Sequence, residues 1–114
     1  MQEDYVVLWI PGGYAPDRLR RSKDILELVR RVAEKGIVAA VCHAPWVLVS
    51  AGLAKGKRLT GFFSIHDDLR NAGATVVDEK FVRDGNIITG TDPEAMPSMI
   101  KLLLEALREK GMKV

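Results

Sequence analysis

The sequence GIVAAVCHAPWVLVSAG, from Gly36 to Gly52, joins a continuous apolar run to a segment with helical spacing. The run from Ile37 to Cys42 predicts a strand buried on both faces, and Pro45 suits the first turn of a helix, where a missing N–H is tolerated. The only cysteine of the chain closes the strand and is followed at once by His43. The stretch therefore predicts a strand, a sharp turn that carries a thiol, and a helix.

Further short runs of apolar and β-branched residues predict the other strands. The run from Tyr5 to Ile10 is expected to be a central strand that stops at Pro11, Gly12 and Gly13. The pair Asp84-Gly85 predicts a type I′ hairpin turn in a ribbon at one side of the sheet. The remaining predicted strands are Arg58 to Gly61, Thr75 to Val77, and Lys80 to Thr89, which folds at that turn.

Apolar residues at helical spacing predict helices between these strands. Ser22 is the expected N-cap of a helix over 22–35 that ends at Gly36. Ser64 is expected to cap a short helix through Ala72, ended by Gly73, and Thr91 or Asp92 to cap the last helix. The apolar stripes contain Ile25, Leu28, Val29, Val32 and Ala33 in the first helix, and Met96, Met99, Ile100, Leu103, Leu104 and Leu107 in the last.

Strands that alternate with helices predict one α/β domain over residues 1–114, with a mostly parallel sheet and helices on both faces. Sites in such sheets form beyond the carboxyl ends of the strands. Gly12, Gly13, Cys42 and His43 all lie at predicted strand ends. A functional site is therefore expected there.

Composition restricts the functional classes. Seventeen basic and fifteen acidic residues give a net charge of +2, which favours neither nucleic acid nor an anionic membrane as partner. No apolar run approaches the roughly 18 residues of a membrane span. A lone cysteine and a start without a secretory signal favour the cytoplasm. One glutamine and two asparagines among 114 residues favour a thermophilic source.

Cys42 has two interpretations. A cysteine that ends an apolar strand can be a small buried hydrophobe. Alternatively, the positive end of the following helix favours the thiolate, and His43 supplies a proton carrier, although adjacent residues at a turn need not form a linear relay. The Gly12-Gly13 pair either forms an ordinary turn or lets backbone amides approach a developing oxyanion.

Two further side chains also leave alternatives open. His66, beside Asp67 and Asp68, admits a metal site, but a solvated helix start is the favoured interpretation. Trp46 either lines a pocket or packs in the core or an interface.

Four ordered segments, IPGGYAPDRLR, AAVCHAPWVLVSAG, SIHDDLRNAGA and FVRDGN, resemble the ThiJ/PfpI family and, within it, the PfpI-like intracellular proteases. The resemblance covers nearly the whole chain. It implies a flavodoxin-like fold, the class I glutamine amidotransferase-like three-layer sandwich. It also implies a cysteine-dependent peptidase, glyoxalase or deglycase that needs neither cofactor nor metal.

The resemblance also assigns roles to residues. Cys42 matches the nucleophile on a strained elbow, and His43 matches the histidine of the family motif and shuttles the proton. The backbone amides of Gly13 and His43 match the oxyanion donors, with Gly12 and Ala44 beside them in the substrate-binding loops; Ala44 replaces the more common glycine. Asp17 matches an acid that reaches the histidine of a neighbouring subunit, which implies a homo-oligomer.

One departure from the family pattern lies at the start of the chain. Relatives usually begin with further strands, a helix and a glutamate that touches the sulfur, whereas nothing in Met1 to Asp4 matches that glutamate, and Glu3 is not assigned to it. We therefore expect an N-terminally truncated fold, an open edge along Tyr5 to Ile10 that invites pairing with another chain, and slow catalysis. The alternative is a non-catalytic, oligomeric or redox-responsive family member.

Overall fold

The computed structural model describes residues 7–112, so Met1 to Asp4 and the first two residues of the predicted strand from Tyr5 lie outside the described residues. Within this range the strands are Val7–Ile10 (β1), Ile37–Val41 (β2), Arg58–Leu59 (β3), Thr75–Val76 (β4), Phe81–Asp84 (β5) and Ile87–Gly90 (β6). The α-helices are Ala15–Leu19 (α1), Lys23–Lys35 (α2), Pro45–Ser50 (α3), His66–Asn71 (α4) and Met96–Glu109 (α5). Single 3₁₀ turns precede α4 and α5 at Phe63–Ile65 and Pro93–Ala95.

The main sheet has the strand order β1-β2-β6-β5. Strands β1, β2 and β6 are parallel, and β5 is antiparallel to β6. Every residue of β2 is buried, which confirms the strand predicted for Ile37 to Cys42. Within residues 7–112, β1 pairs only with β2 and lies at an edge rather than at the centre, with Val7 39% exposed. The described sheet therefore shows the open edge that the sequence predicts.

Helices cover both faces of this sheet. Side chains alternate along β2, so that Val38 and Ala40 pack with α2, α3 and α4, whereas Ile37, Ala39 and Val41 pack with α5. Met99 of α5 is fully buried, as predicted for a core residue. The predicted three-layer α/β architecture is confirmed, and it directs the carboxyl ends of β1, β2 and β6 to the same side of the molecule.

The helix caps follow the prediction with one exception, and the apolar stripes differ from it in part. The Ser22 hydroxyl accepts a hydrogen bond from the Ile25 amide at 3.3 Å, and Asp92 accepts one from the Glu94 amide at 2.9 Å. Ser64 does not cap α4, which begins at His66 without a side-chain cap. Leu28 and Ile100 are each 44% exposed and lie outside the apolar stripes of α2 and α5 in which the sequence placed them. No helix in the described part of the chain is both long and apolar enough to cross a membrane.

The β5–β6 hairpin is present, but its turn is not type I′. Asp84 pairs with Ile87, so that Gly85 and Asn86 form a two-residue turn. Gly85 has a φ of 63°, whereas Asn86 does not have the positive φ that type I′ requires at both positions. A positive φ at the first position alone is the type II′ pattern. The predicted turn type is therefore wrong, and the predicted hairpin at the side of the sheet is confirmed.

Candidate active site

Cys42 lies on the turn between β2 and α3, and its backbone is strained. Its φ is 65°, and it is the one non-glycine residue with a positive φ within residues 7–112. This conformation costs a residue with a Cβ about 1–2 kcal/mol, so surrounding contacts must maintain it. Its amide donates to the Gly90 carbonyl at 3.0 Å, and its carbonyl accepts from the Phe62 amide at 2.7 Å. The strained elbow predicted at Cys42 is observed, with the cysteine only partly buried.

Gly12 lets the chain after β1 approach the elbow. A Cβ built on Gly12 would lie 2.9 Å from the Cβ of Cys42 and 3.7 Å from its sulfur. The first distance is too short for two carbon atoms that are not bonded. Gly13 follows with a φ of 70°, a conformation that favours glycine. Both glycines therefore have a geometric role at the position predicted from the sequence.

The imidazole of His43 contacts the thiol of the preceding residue. Nδ1 lies 3.5 Å from the sulfur of Cys42. The ring is tilted between two aromatic side chains, with its centroid 5.1 Å from that of Trp46 and 5.2 Å from that of Phe62. These contacts restrict the ring, and the short distance makes Nδ1 a candidate acceptor for the thiol proton.

Ser64 contacts the other nitrogen of the same ring. Its hydroxyl lies 3.3 Å from Nε2 of His43. Sequence analysis assigned this serine to the cap of α4 and missed the contact. A serine two residues before a helix matches the pattern of a capping residue, and nothing in the local sequence indicates a partner 21 positions away. The segment that follows β3 therefore belongs to the site together with the two strand ends.

A cavity of about 340 Å³ opens beside the histidine and is lined by Gly13, Tyr14, Asp17, His43 and Trp46. Asp17 lies in the first turn of α1 and faces the cavity of its own chain. Within residues 7–112 no ion pair or hydrogen bond joins Asp17 to His43. The contact of Asp17 with the histidine of a neighbouring subunit stays a prediction.

The backbone amides around the thiol differ in whether they donate a hydrogen bond to another backbone group. The Ala44 amide donates to the Val41 carbonyl at 3.0 Å, and the residue is fully buried. The amides of Gly13 and His43 donate to no backbone carbonyl within residues 7–112. The predicted role of the Gly13 and His43 amides as oxyanion donors stays a prediction, and Ala44 contributes its small, buried side chain to the turn.

Trp46 lines one side of the cavity. Two polar side chains contact its indole ring. Its Nε1 donates to Asp68 at 2.8 Å, and the guanidinium of Arg20 lies 5.3 Å from its ring centroid. Arg20 also donates through Nε to the Ser50 hydroxyl at 2.9 Å. Trp46 therefore both lines the cavity and packs against the core, so the two alternatives left open by the sequence do not exclude each other.

His66 acts within the chain rather than as part of a metal cluster. Its Nε2 lies 2.9 Å from the carbonyl oxygen of Gly61, which joins the start of α4 to the segment after β3. In the part of the chain that the structure describes, no three His, Cys, Asp or Glu side chains come together as metal ligands. His66 was predicted to be a solvated residue at the start of a helix; it does begin α4, but its side chain is half-buried and contacts the Gly61 carbonyl.

The geometry defines a class of protein, an α/β fold that presents a thiol on a strained turn at the carboxyl end of an inner parallel strand. The sequence model of the DJ-1/PfpI family matches residues 1–106, and the chain belongs to this family. The resemblance to ThiJ/PfpI proteins and the predicted flavodoxin-like fold are both confirmed.

Individual relatives agree with this assignment. The chain is 34% identical over 107 residues to the deglycase PfpI of Pyrococcus furiosus, a match that covers 93% of this chain and 64% of that protein. A crystal structure of a two-domain protein from Anabaena variabilis, with DJ-1/ThiJ/PfpI-like and ferritin-like domains, is 44% identical with a TM-score of 0.84. That match covers 91% of this chain and 30% of the Anabaena chain.

The structure of Drosophila melanogaster DJ-1beta is 31% identical with a TM-score of 0.74, and the match covers 97% of this chain and 65% of the fly protein. The chain therefore spans less than two thirds of the length of each of these three proteins.

Proposed function

We propose that the chain performs cysteine-dependent chemistry on small reactive carbonyl compounds, of the deglycase or glyoxalase kind. The observation that carries the proposal is the 3.5 Å contact between the sulfur of Cys42 and Nδ1 of His43. A thiol that can transfer its proton to an adjacent imidazole becomes a nucleophile for an electrophilic carbon. The name deglycase given to the Pyrococcus furiosus relative supports the same substrate class.

The proposed first step is an addition. Nδ1 of His43 accepts the thiol proton, and the sulfur of Cys42 forms a bond to the carbonyl carbon. The π electrons of the carbonyl move to its oxygen, where the amides of Gly13 and His43 stabilise the negative charge. The proton then passes from the imidazolium to that oxygen and completes a hemithioacetal. The step consumes only the thiol and the carbonyl compound.

The size of the cavity favours a small substrate. About 340 Å³ lies beside His43, at the lower end of the range for ligand pockets, which is about 300–1,000 Å³. Tyr14 and Trp46 supply apolar surface and Asp17 supplies a carboxylate at its border. A two- or three-carbon aldehyde is small enough for this space, which borders the imidazole of His43 that contacts the sulfur.

A homo-oligomer is part of the proposal, because Asp17 of a neighbouring copy would orient the imidazole of His43. The open edge at β1 provides a second reason for association. Light scattering of the purified chain is expected to give a mass above that of the 12.6 kDa monomer. A folded monomer at micromolar concentration would contradict this part of the proposal.

The substrate class is tested by offering methylglyoxal and a peptide to the same preparation. We expect loss of the aldehyde with formation of its hydration product, lactate, detected by proton NMR. Cleavage of the peptide without loss of the aldehyde would replace the carbonyl reaction by peptide hydrolysis through an acyl-enzyme on Cys42. If the chain converts neither compound, the proposed function is contradicted and the non-catalytic alternative is favoured.

A further inference from the structure

We propose that Ser64 is a positioning residue that holds the imidazole of His43 so that Nδ1 faces the sulfur of Cys42. The inference rests on the proposed role of Cys42 as nucleophile and adds a residue to that site. Its basis is a continuous chain of contacts, with 3.5 Å from sulfur to Nδ1 and 3.3 Å from Nε2 to the Ser64 hydroxyl. One imidazole thus joins a thiol on one side to a hydroxyl on the other.

In a neutral imidazole the two ring nitrogens have different roles in these contacts. One ring nitrogen carries hydrogen and donates, and the other has a lone pair and accepts. If the Ser64 hydroxyl accepts from Nε2–H, then Nδ1 of His43 has the lone pair that takes the thiol proton. The second partner of a histidine commonly fixes which nitrogen is protonated. In the proposed arrangement the Ser64 hydroxyl accepts from Nε2–H and so favours the tautomer that the addition step requires.

The segment that carries Ser64 is attached to the elbow at several points. The Phe62 amide donates to the Cys42 carbonyl at 2.7 Å. A Cβ built on Gly61 would lie 3.2 Å from the same carbonyl oxygen, so the two backbones pack closely there. His66 contacts the Gly61 carbonyl on the other side at 2.9 Å. The segment that places the Ser64 hydroxyl beside the ring is thus itself hydrogen-bonded to, and packed against, the elbow at Cys42.

Ser64 and Asp17 compete for the same role. The resemblance assigns the orientation of His43 to an aspartate of a neighbouring subunit, but within one chain it is Ser64 that contacts Nε2. Ser64 is exposed, so its replacement by alanine removes the hydroxyl without opening a cavity. Ser64→Thr keeps a hydroxyl at this position and serves as the conservative rescue.

The first measurement is the rate of alkylation of Cys42 by iodoacetamide at neutral pH. It needs no turnover, and the chain has a single cysteine. Ser64→Ala is expected to slow alkylation by about 2- to 10-fold, the effect of one hydrogen bond, and Ser64→Thr to restore it to within about twofold of the parent. Ser98→Ala, at a serine of α5 outside the contacts of His43, is the matched control and is expected to change nothing.

The second measurement is the ¹⁵N NMR spectrum of the two histidine rings, assigned with His66→Gln. In the parent chain at mildly alkaline pH, His43 is expected to show a protonated Nε2 and an unprotonated Nδ1. Ser64→Ala is expected to move the two shifts towards each other, as the tautomers mix, and Ser64→Thr to restore the parent pattern. A merely structural serine would leave these shifts unchanged.

Three outcomes would overturn the inference. One is an Nδ1-protonated His43 in the parent chain, and another is unchanged alkylation and shifts in Ser64→Ala. The third is an effect of Asp17→Asn on both readouts with none from Ser64→Ala, which would assign the role to the neighbouring carboxylate. If the Ser64 readouts hold but methylglyoxal is not consumed, the proposed function fails while the positioning of the ring stands.

Discussion

The sulfur of Cys42 lies 3.5 Å from Nδ1 of His43, although the two residues are adjacent in the chain. Successive side chains at a turn generally point in different directions, and the sequence alone did not require this contact. The same turn holds Cys42 at a positive φ of 65°. The strain and the contact are thus two consequences of the same turn.

The strain at Cys42 predicts an unusual order of stability. Alanine retains the Cβ that disfavours a positive φ, whereas glycine adopts it freely. We therefore expect Cys42→Gly to unfold at a higher urea concentration than Cys42→Ala, by about 1 kcal/mol in the free energy of unfolding. The opposite order, which is the usual one in a helix or strand, would show that the backbone at Cys42 is relaxed in solution.

Gly12→Ala is expected to disturb the elbow directly. The added Cβ would lie 2.9 Å from the Cβ of Cys42, so the elbow or the chain after β1 must shift. Overpacking of this kind costs about 1–3 kcal/mol, and the displaced thiol should react more slowly with iodoacetamide. Gly85→Ala is the control, because the strain of its positive φ lies at the hairpin turn, away from the thiol. Equal alkylation rates in the parent and Gly12→Ala would contradict the close approach.

Two buried threonines offer a matched pair of substitutions. The Thr60 amide donates to the Thr89 hydroxyl at 2.9 Å, whereas the hydroxyl of Thr60 is buried and has no partner among the described residues. Thr60→Val removes an unsatisfied hydroxyl and is expected to raise the free energy of unfolding by about 1 kcal/mol. Thr89→Val leaves a buried amide unpaired and should lower it by about 1–3 kcal/mol.

Urea denaturation of both valine variants measures the difference. Equal effects of the two substitutions would contradict the hydrogen bond from the Thr60 amide to the Thr89 hydroxyl.

The pair Arg83–Glu109 predicts a pH dependence of stability. The two guanidinium nitrogens each lie 2.9 Å from a carboxylate oxygen. The hydrogen bond from Arg83, helped by its charge, lowers the pKa of Glu109 below the ordinary value of 4.5. A lowered folded-state pKa means that the contribution is complete above the ordinary value and is lost as the pH falls through the folded one.

Melting temperatures of the parent and Glu109→Gln test this dependence. The parent is expected to melt at a higher temperature at neutral pH, and the difference should vanish in acid. Glu79→Gln, at an exposed carboxylate outside the pair, is the control, with no such convergence expected. A difference that persists in acid would show that Glu109 acts through something other than its charge.

The sequence predicts the framework of the site because each part of it leaves a local signature. A fully apolar run predicted β2, the pair Gly12-Gly13 marked a close approach, and a cysteine between that run and Pro45 marked the elbow. The turn type was wrong because the prediction centred the turn on Asp84-Gly85, whereas Asp84 pairs with Ile87 and the turn residues are Gly85 and Asn86. Glycine at the first of these two positions is typical of a type II′ turn.

Ser64 was not found from the sequence because its partner is distant along the chain. Local pattern alone made it a helix cap, and its contact with His43 exists only because β3 and its following segment pack on the elbow. The proposed role of Asp17 cannot be read from local sequence for a similar reason, since it depends on a second copy of the chain. Contacts made by tertiary or quaternary packing have no signature within a short window of sequence.

The most direct test of the central claim is the rate at which the chain consumes methylglyoxal, compared with the rate of Cys42→Ser. A serine hydroxyl ionises far less readily than a thiol, so the variant cannot supply the anionic nucleophile. We expect the parent to consume the aldehyde and folded Cys42→Ser to lose about 10²-fold or more of that rate, with Ser98→Ala unchanged. Retention of the full rate by folded Cys42→Ser would contradict the account.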